Sequence, residues 1–388
     1  MIEMLDFGHE IQYLIIFSSV LILPKIIQRF KVPVGITCLS LGILTSSLYP
    51  ELRHDQLILL LSRLGITSLF LFAGMEVKVD ELKENKLPLL KHLSVALLII
   101  FLLSFAIQYY FELEFRLAVI FSLGILTPST GFILNSLDSY KLTRSQKYWI
   151  SSKSISEEMM AVLVLFFAMQ SQDLKSLLIS IAVLVTLLFG LPIVFKLFIR
   201  YIAPYAPKSE VAFLIILALL CGVITKKIGT YYLVGAFIVG IVAGRFKHFM
   251  DEKEDKNIFE SLSVFFGIFI PFYFYKSGLK LSLDILTKEG IVIGLFLSLY
   301  LIPLRFYFTN FTTINFLGRE VYSPWKISLS LMPTLIFGLV ISSILLEKYH
   351  VDSSLITGLF IYTIITSILP AFAFETNPPK EYDSTTIE

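Results

Sequence analysis

Two adjacent carboxylates have the clearest capacity for chemistry in this chain. Glu157 and Glu158 precede an apolar run from Met159 to Met169. An ionised carboxylate at the middle of a lipid bilayer costs roughly 2.5 to 3.5 kcal/mol on insertion scales, so a pair inside an apolar helix indicates a functional site. The chemistry open to such a pair is the binding of cations or protons.

A break in the preceding apolar helix offers oxygen atoms of another kind. The helix is interrupted at Thr127, Pro128, Ser129 and Thr130. Proline removes a helical hydrogen bond, and a membrane tolerates the freed carbonyls only beside protein or a watery cavity. These carbonyls and the neighbouring hydroxyls could complete an oxygen shell around a small hard cation. The stretch from residue 121 to residue 172 therefore predicts an ion site.

The composition places this site in a membrane protein. Of the 388 residues, 56% are hydrophobic and 16% are charged, and the mean hydropathy is +0.80, which is far from the balance of a soluble domain. The formal charge of +2 gives no indication of nucleic-acid binding. Cys38 and Cys221 lie in separate apolar spans without neighbours at metal-ligand spacing, so we expect no cofactor.

The elements that must position the site are membrane-spanning helices. Apolar spans of about 20 residues, bounded by charges or by Pro and Gly clusters, predict an all-α membrane protein of about thirteen transmembrane helices. Their predicted limits are 9–30, 33–49, 55–76, 88–111, 115–137, 145–171, 174–203, 209–227, 230–247, 258–279, 284–312, 323–347 and 351–374.

The basic residues predict the orientation of these helices. When residues at the helix ends are counted with the adjoining loops, the loops after the odd-numbered helices up to the eleventh, together with the C-terminal tail, hold 20 of the 32 basic residues. The opposite loops hold 8, and 4 lie deep within spans. Short loops rich in Lys and Arg stay on the cytoplasmic side. We therefore expect an integral multi-pass protein of the cell (inner) membrane, with its N-terminus outside and its C-terminus in the cytoplasm.

An internal repeat runs through the chain. The segment Ala73 to Leu82 parallels Ser277 to Leu286, Val34-Gly35 parallels Val234-Gly235, and Pro128 parallels Pro333, at offsets of 204, 200 and 205. Each pair is separated by seven helices, an odd number of crossings, so the two halves must be inverted relative to each other. Inverted repeats with two broken helices near the midplane are typical of secondary transporters.

The repeat divides the chain into four parts. Residues 1–173 form the first inverted repeat, 174–208 a linker helix, 209–375 the second inverted repeat, and 376–388 a polar cytoplasmic tail that is predicted to be disordered.

Several of these motifs resemble one known family, the monovalent cation:proton antiporters of the sodium/hydrogen exchanger and Kef types. The similar segments are Ser68 to Glu76 in the third helix, Pro128-Ser129-Thr130 in the first broken helix, Leu142 to Gln146 after it, Gly235 to Gly240 in the second half, and Pro271 to Phe274 with Gly278. Leu335-Ile336-Phe337 departs from the family's second broken helix, and no nucleotide-binding tail follows, so Kef-type function is not expected.

The resemblance implies both a fold and an activity. The implied fold has a core of helices 4 to 6 and 11 to 13 and a homodimerising part of helices 1 to 3 and 8 to 10, joined by helix 7. Glu157 and Glu158 fall on the family's paired cation-binding positions, with Glu in place of Asp. The implied activity is the exchange of Na⁺, Li⁺ or K⁺ for H⁺ by alternating access.

The roles of the site residues follow from this reading. Cation and proton are expected to compete for Glu158 and Glu157, with Thr127, Ser129 and Thr130 completing the oxygen shell. Three basic residues are candidates for the charge opposite Glu157: Arg305, Lys276 and Lys153. With two protonatable glutamates, we expect more than one proton per cation and therefore electrogenic exchange.

Three other classes of protein compete with this interpretation. An intramembrane metalloenzyme would need histidine ligands near the glutamates, and the five histidines fall at predicted helix ends or in loops: His9, His54, His92, His248 and His350. A potassium or other cation channel would need a carbonyl-rich filter signature, which we do not find. A non-transporting membrane sensor on the same fold remains open.

Overall fold

The computed structural model describes residues 7–30, 32–77, 85–137, 140–170, 174–206, 209–229, 233–246, 252–281, 286–317 and 323–374. Within these residues the chain forms thirteen helices, and two of the thirteen are broken. They are α1 (Phe7–Ile27), α2 (Val34–Leu48), α3 (Gln56–Met75), α4 (Lys86–Phe111), α5a (Phe115–Leu126), α5b (Thr130–Leu137), α6 (Arg144–Gln170), α7 (Leu174–Tyr201), α8 (Glu210–Lys227), α9 (Leu233–Phe246), α10 (Glu252–Lys280), α11 (Lys288–Leu317), α12a (Pro324–Ser330), α12b (Leu335–Tyr349) and α13 (Ser353–Ala373), with 3₁₀ turns at Gln28–Phe30 and Pro50–His54.

Eight helical segments of the described residues are long and apolar enough to cross a membrane. Both broken helices are among them when their halves are taken together. Helix α6 is not, because Lys153, Glu157 and Glu158 lie within its length. The all-helical architecture of thirteen helices is confirmed. The tail 376–388 and the outer parts of the repeated segments, 78–82 and 282–285, lie outside the described residues.

Four glycines hold two pairs of helices in backbone contact. A Cβ atom on Gly42 would lie 2.1 Å from the carbonyl oxygen of Tyr275, and one on Gly278 would lie 2.1 Å from that of Leu39. The pair Gly74 and Gly240 repeats this arrangement, with distances of 2.3 and 2.2 Å to the carbonyls of Phe237 and Leu71. No larger residue fits at these crossings of α2 with α10 and of α3 with α9.

The two glycine crossings are copies of each other in inverted order. Gly278 follows Gly74 by 204 positions, and Gly240 follows Gly42 by 198. Each contact in one crossing therefore has a counterpart with the two halves exchanged. Two inverted-topology repeats produce this relation, and the fold accordingly has them. The residue limits of the repeats remain a prediction.

The broken helices lie in a second group of helices. Helix α5a packs against α4, α6, α12b and α13, and α11 packs against α4, α12a and α13. Helix α7 contacts α6 on one side and α8 and α9 on the other. The helices that surround the breaks are thus α4 to α6 and α11 to α13.

Candidate ion-binding site

The first helix break lies where the threonines and proline predict it. Helix α5a ends at Leu126, Thr127 is extended with φ −78° and ψ 122°, and α5b begins at Thr130. Because α5b starts anew at this point, its first N–H groups have no partners within the helix, and its N-terminus carries partial positive charge.

The second break lies directly against the first. Helix α12a ends at Ser330 and α12b begins at Leu335, so the break contains Pro333. The backbone N–H of Ser129 donates a hydrogen bond of 2.8 Å to the carbonyl oxygen of Pro333. The two broken helices therefore cross, as the repeat predicts.

Ser129 also caps the second helix across this crossing. Its Oγ accepts hydrogen bonds from the backbone N–H groups of Ile336 at 2.9 Å and Phe337 at 3.1 Å. Side-chain oxygens at a helix N-terminus satisfy N–H groups that the helix leaves free. The hydroxyl oxygen of Ser129 is thus already occupied by the protein.

Arg305 serves the opposite ends of the broken helices. Its guanidinium donates to the carbonyl oxygens of Met332 and Leu331, each at 2.8 Å, and to that of Ile125 at 3.3 Å. These carbonyls lie at the C-terminal ends of α12a and α5a, which carry partial negative charge. Arg305 had been predicted as the charge opposite Glu157; its hydrogen bonds go to the backbone instead.

Glu158 lies at the new N-terminus of the first broken helix. Its Oε2 accepts a hydrogen bond of 2.9 Å from the backbone N–H of Thr130, and its residue is 3% exposed. A carboxylate in this position is stabilised by the N–H group and by the helix dipole. A single backbone donor occupies one of its two oxygens, which leaves the other for a cation or a proton.

Glu157 points to a different neighbour. Successive residues of an α-helix point about 100° apart, so the two glutamates do not share a direction. Oε1 of Glu157 contacts Nε2 of His92 on helix α4. That the two carboxylates act as one pair stays a prediction; in the structure each contacts a partner of its own.

Lys153, four residues before Glu157, forms its hydrogen bonds with another helix. Its Nζ donates to the hydroxyls of Thr313 at 2.8 Å and Thr312 at 3.3 Å on helix α11. Lys276 is absent from the site altogether, because its Nζ donates to the carbonyl oxygen of Arg53 near the start of α3. Of the three basic candidates, Arg305 alone lines the same cavity as Glu157.

That cavity has an empty volume of about 490 Å³. Its polar wall consists of His92, Thr127, Glu157, Arg305, Thr309 and Thr312, and its apolar wall of Val95, Ala96, Ile99, Ile100, Leu126, Met160 and Phe308. The hydroxyl of Thr127 is buried and has no hydrogen-bond partner among the described residues. The hydroxyl of Thr130 is buried without a partner among the same residues, so both threonines present an oxygen that no described residue binds.

His92 is the residue of the site that the sequence interpretation missed. It had been placed at a predicted helix end, but it is the seventh residue of α4 and is 5% exposed. The available signal was a histidine that lies inside the predicted span 88–111 rather than in a loop. Its partner, Glu157, is 65 positions away in sequence.

Comparisons with known proteins agree with this geometry. A family model described as "Sodium/hydrogen exchanger, transmembrane" matches residues 15–375. The probable Na⁺/H⁺ antiporter 3 of Methanocaldococcus jannaschii is 22% identical over 368 residues, which cover 92% of this chain and 93% of the relative. The Na⁺/H⁺-K⁺ antiporter GerN of Bacillus cereus is 20% identical over 243 residues, or 60% of this chain and 61% of the relative.

A solved structure has the same fold. The sodium proton antiporter MjNhaP1 of Methanocaldococcus jannaschii superposes with a TM-score of 0.69, covering 95% of this chain and 97% of that one. Because the two sequences are 16% identical, this likeness establishes the architecture alone.

Proposed function

The chain belongs to the sodium/hydrogen exchanger family, and from this premise we propose that it exchanges a monovalent cation for protons across the membrane by alternating access. The observation that carries the proposal is the buried carboxylate of Glu158 at the N-terminus of a half-helix, beside the crossing of two broken helices. Such crossings near the midplane are where secondary transporters bind their ions.

Glu158 is the proposed carboxylate ligand of the cation. Its free oxygen can bind a cation or a proton but not both, and this competition couples the two fluxes. The unpartnered hydroxyl of Thr127 is the second proposed ligand, and backbone oxygens freed at the break complete the shell. Oxygen ligands suit Na⁺ and Li⁺, with K⁺ as the further candidate. The hydroxyl of Thr130, which is also buried without a partner among the described residues, is a further proposed ligand. Ser129 contributes through the backbone geometry of the break.

Glu157 is the second proposed proton-carrying group. If both glutamates change protonation during the cycle, more than one proton moves per cation, and exchange is electrogenic. We expect the rate in proteoliposomes to depend on an imposed membrane potential, and we expect Glu157→Gln to remove that dependence while exchange continues. If the rate and end point of exchange by the wild-type protein did not depend on the membrane potential, the proposed stoichiometry would be wrong.

The test of the exchange itself uses everted vesicles with a preformed proton gradient. Addition of Na⁺, Li⁺ or K⁺ in turn should dissipate the gradient in vesicles that contain the protein and leave it intact in vesicles that lack it. A channel would instead pass cation current without counter-movement of protons, and a sensor would do neither. Either of those outcomes would overturn the proposal.

The setting of the exchanger is part of the same proposal. We place it in the cell (inner) membrane as a homodimer that contacts lipid, with its N-terminus outside and its C-terminus in the cytoplasm. Cysteines introduced at exposed Glu112 and Lys175, which lie at helix ends predicted to face outward, should react with an impermeant maleimide in intact cells.

A further inference from the structure

We propose that His92 is a positioning residue of the exchange site, which holds the carboxylate of Glu157 toward helix α4 and so leaves Glu158 as the only glutamate that binds the cation. The inference rests on the proposed function, because it assigns a division of labour within that exchange. It follows from a hydrogen-bond network that joins α4, α6 and α11.

The network begins with two threonines on α11 whose hydroxyl groups already donate a hydrogen bond to the backbone. Oγ1 of Thr312 donates to the carbonyl oxygen of Thr309 at 3.0 Å, and Oγ1 of Thr313 donates to the same oxygen at 2.7 Å. A hydroxyl has a single proton to donate. Both hydroxyls must therefore accept whatever other hydrogen bonds they make.

This count fixes the orientation of the imidazole. Nδ1 of His92 lies 3.0 Å from Oγ1 of Thr312, and with the hydroxyl proton directed at the carbonyl oxygen of Thr309, Nδ1 is the donor of this hydrogen bond. Nζ of Lys153 donates to the same oxygen from the other side. The ring is thus held with Nε2 directed at Oε1 of Glu157.

The carboxylate of Glu157 is fixed as a consequence. Whether Nε2 donates to the carboxylate or accepts from the carboxyl group, Oε1 is engaged. Four residues of this network are at most 5% exposed: His92, Thr312, Thr313 and Lys153. Hydrogen bonds of buried polar groups support one another in such a network. The hydrogen bond of Glu158, by contrast, comes from a backbone N–H group.

A second carboxylate near a cation would tighten binding and slow release. Cation affinity of an oxygen site rises with the number of charged ligands, and tighter binding is usually expressed as slower dissociation. In His92→Ala the freed Glu157 carboxylate should join the cation. We expect the apparent KM for Na⁺ to fall by about tenfold, the worth of one charge-assisted hydrogen bond, together with a lower maximal rate.

Two conservative variants separate the roles of the ring nitrogens. The amide nitrogen of Gln can take the place of Nε2, and that of Asn can take the place of Nδ1. His92→Gln should therefore keep the wild-type KM, whereas His92→Asn, which retains the contact with Thr312 alone, should behave like His92→Ala. Ser94→Ala, at an exposed position of the same helix, is the matched control.

A double-mutant cycle shows whether His92 acts through Glu157. In a Glu157→Gln background, His92→Ala should leave KM unchanged, because no second carboxylate remains to be released.

Thr312→Val removes the hydrogen-bond partner of Nδ1 and should lower KM, as His92→Ala does. This variant provides an independent test if position 92 tolerates no change.

The outcomes distinguish this inference from the proposed function. Wild-type vesicles that fail to exchange any alkali cation would sink the proposed function. A wild-type exchanger in which His92→Ala lowers the maximal rate at constant KM would sink the positioning role alone. The positioning role would also be contradicted if His92→Gln had the KM of His92→Ala, or if His92→Ala changed KM in the Glu157→Gln background.

Discussion

The two helix breaks have the same architecture but different partners at their N-terminal ends. At the first break the free N–H of Thr130 is met by the charged side chain of Glu158. At the second break the free N–H groups of Ile336 and Phe337 are met by the neutral hydroxyl of Ser129. At their C-terminal ends both breaks share Arg305.

This difference shows that a repeated fold need not repeat its chemistry. The Ser129 hydroxyl at the second break is occupied by two backbone N–H groups, so its contribution there is structural. A carboxylate with one backbone donor can take or release a cation while the helix end still stabilises its charge. The inverted repeat produces two breaks in the helices, and we propose that their side chains make only the first of them an ion site.

The largest expected effect comes from removing that charge. Glu158→Gln keeps the shape of the side chain and an oxygen that can accept from Thr130, but it loses the negative charge. We expect cation-dependent proton movement in vesicles to fall more than 100-fold, because one buried charge–ion interaction exceeds about 2.7 kcal/mol. The thermal unfolding temperature in detergent should remain close to that of the wild type.

The matching change at the second break is the control. If Ser129→Ala changed the rate of exchange as much as Glu158→Gln does, the two breaks would be chemically equivalent. Exchange by Glu158→Gln at a rate close to that of the wild type would lead to the same conclusion.

Arg305→Ala tests the element that the two breaks share. The change leaves three buried carbonyl oxygens without their charged donor, and hydrogen bonds to charged groups are worth about 1.5 to 3 kcal/mol each. We expect at least about 3 kcal/mol of stability to be lost, with a roughly tenfold or greater loss of exchange. The ammonium group of Arg305→Lys can donate to these carbonyls but lacks the planar guanidinium. The stability and exchange rate of this variant should lie between those of the wild type and of Arg305→Ala.

The arginine experiment also separates two roles. If Arg305→Ala retained its stability and lost voltage dependence instead, the guanidinium would be acting as the counter-charge of Glu157 rather than as a cap on the helix ends.

The backbone features of this site could be predicted from the sequence because their signals are local. Pro128 and Pro333 cannot continue a helix, and both breaks lie where those residues predict. The repeated segments at offsets of 200 to 205 indicated the inverted halves, because each pair is separated by an odd number of predicted helices.

The side-chain partners could not be predicted, because they depend on which faces of distant helices meet. Lys153 lies at the spacing of an i, i+4 partner of Glu157, yet a pair of threonines on α11 binds it instead. His92 and Glu157 are brought together by the packing of α4 on α6, and no spacing rule connects residues on separate helices. For the same reason Arg305 was identified as important while its hydrogen-bond acceptors were not.

Ser129→Ala is expected to affect stability more than transport. It removes an N-terminal cap that serves two N–H groups of α12b, which costs about 1 to 2 kcal/mol. Thermal unfolding measures this loss directly. Ser342→Ala is the matched control, because the Ser342 hydroxyl is buried on the same helix without a hydrogen-bond partner in the described part of the chain. Equal losses in the two variants would show that Ser129 is not a cap.

The smallest effect is expected at Thr127, where a substitution should affect transport rather than stability. The Thr127 hydroxyl forms no hydrogen bond with a described residue, so Thr127→Val removes no protein contact and should leave the unfolding temperature unchanged or slightly raised. If the hydroxyl is a cation ligand, the apparent KM for Na⁺ should rise by about three- to tenfold, equivalent to one neutral hydrogen bond. Thr127→Ser, which retains the oxygen, should keep the wild-type KM. An unchanged KM in the valine variant would remove Thr127 from the oxygen shell and leave Glu158, the backbone and the hydroxyl of Thr130 as its proposed members.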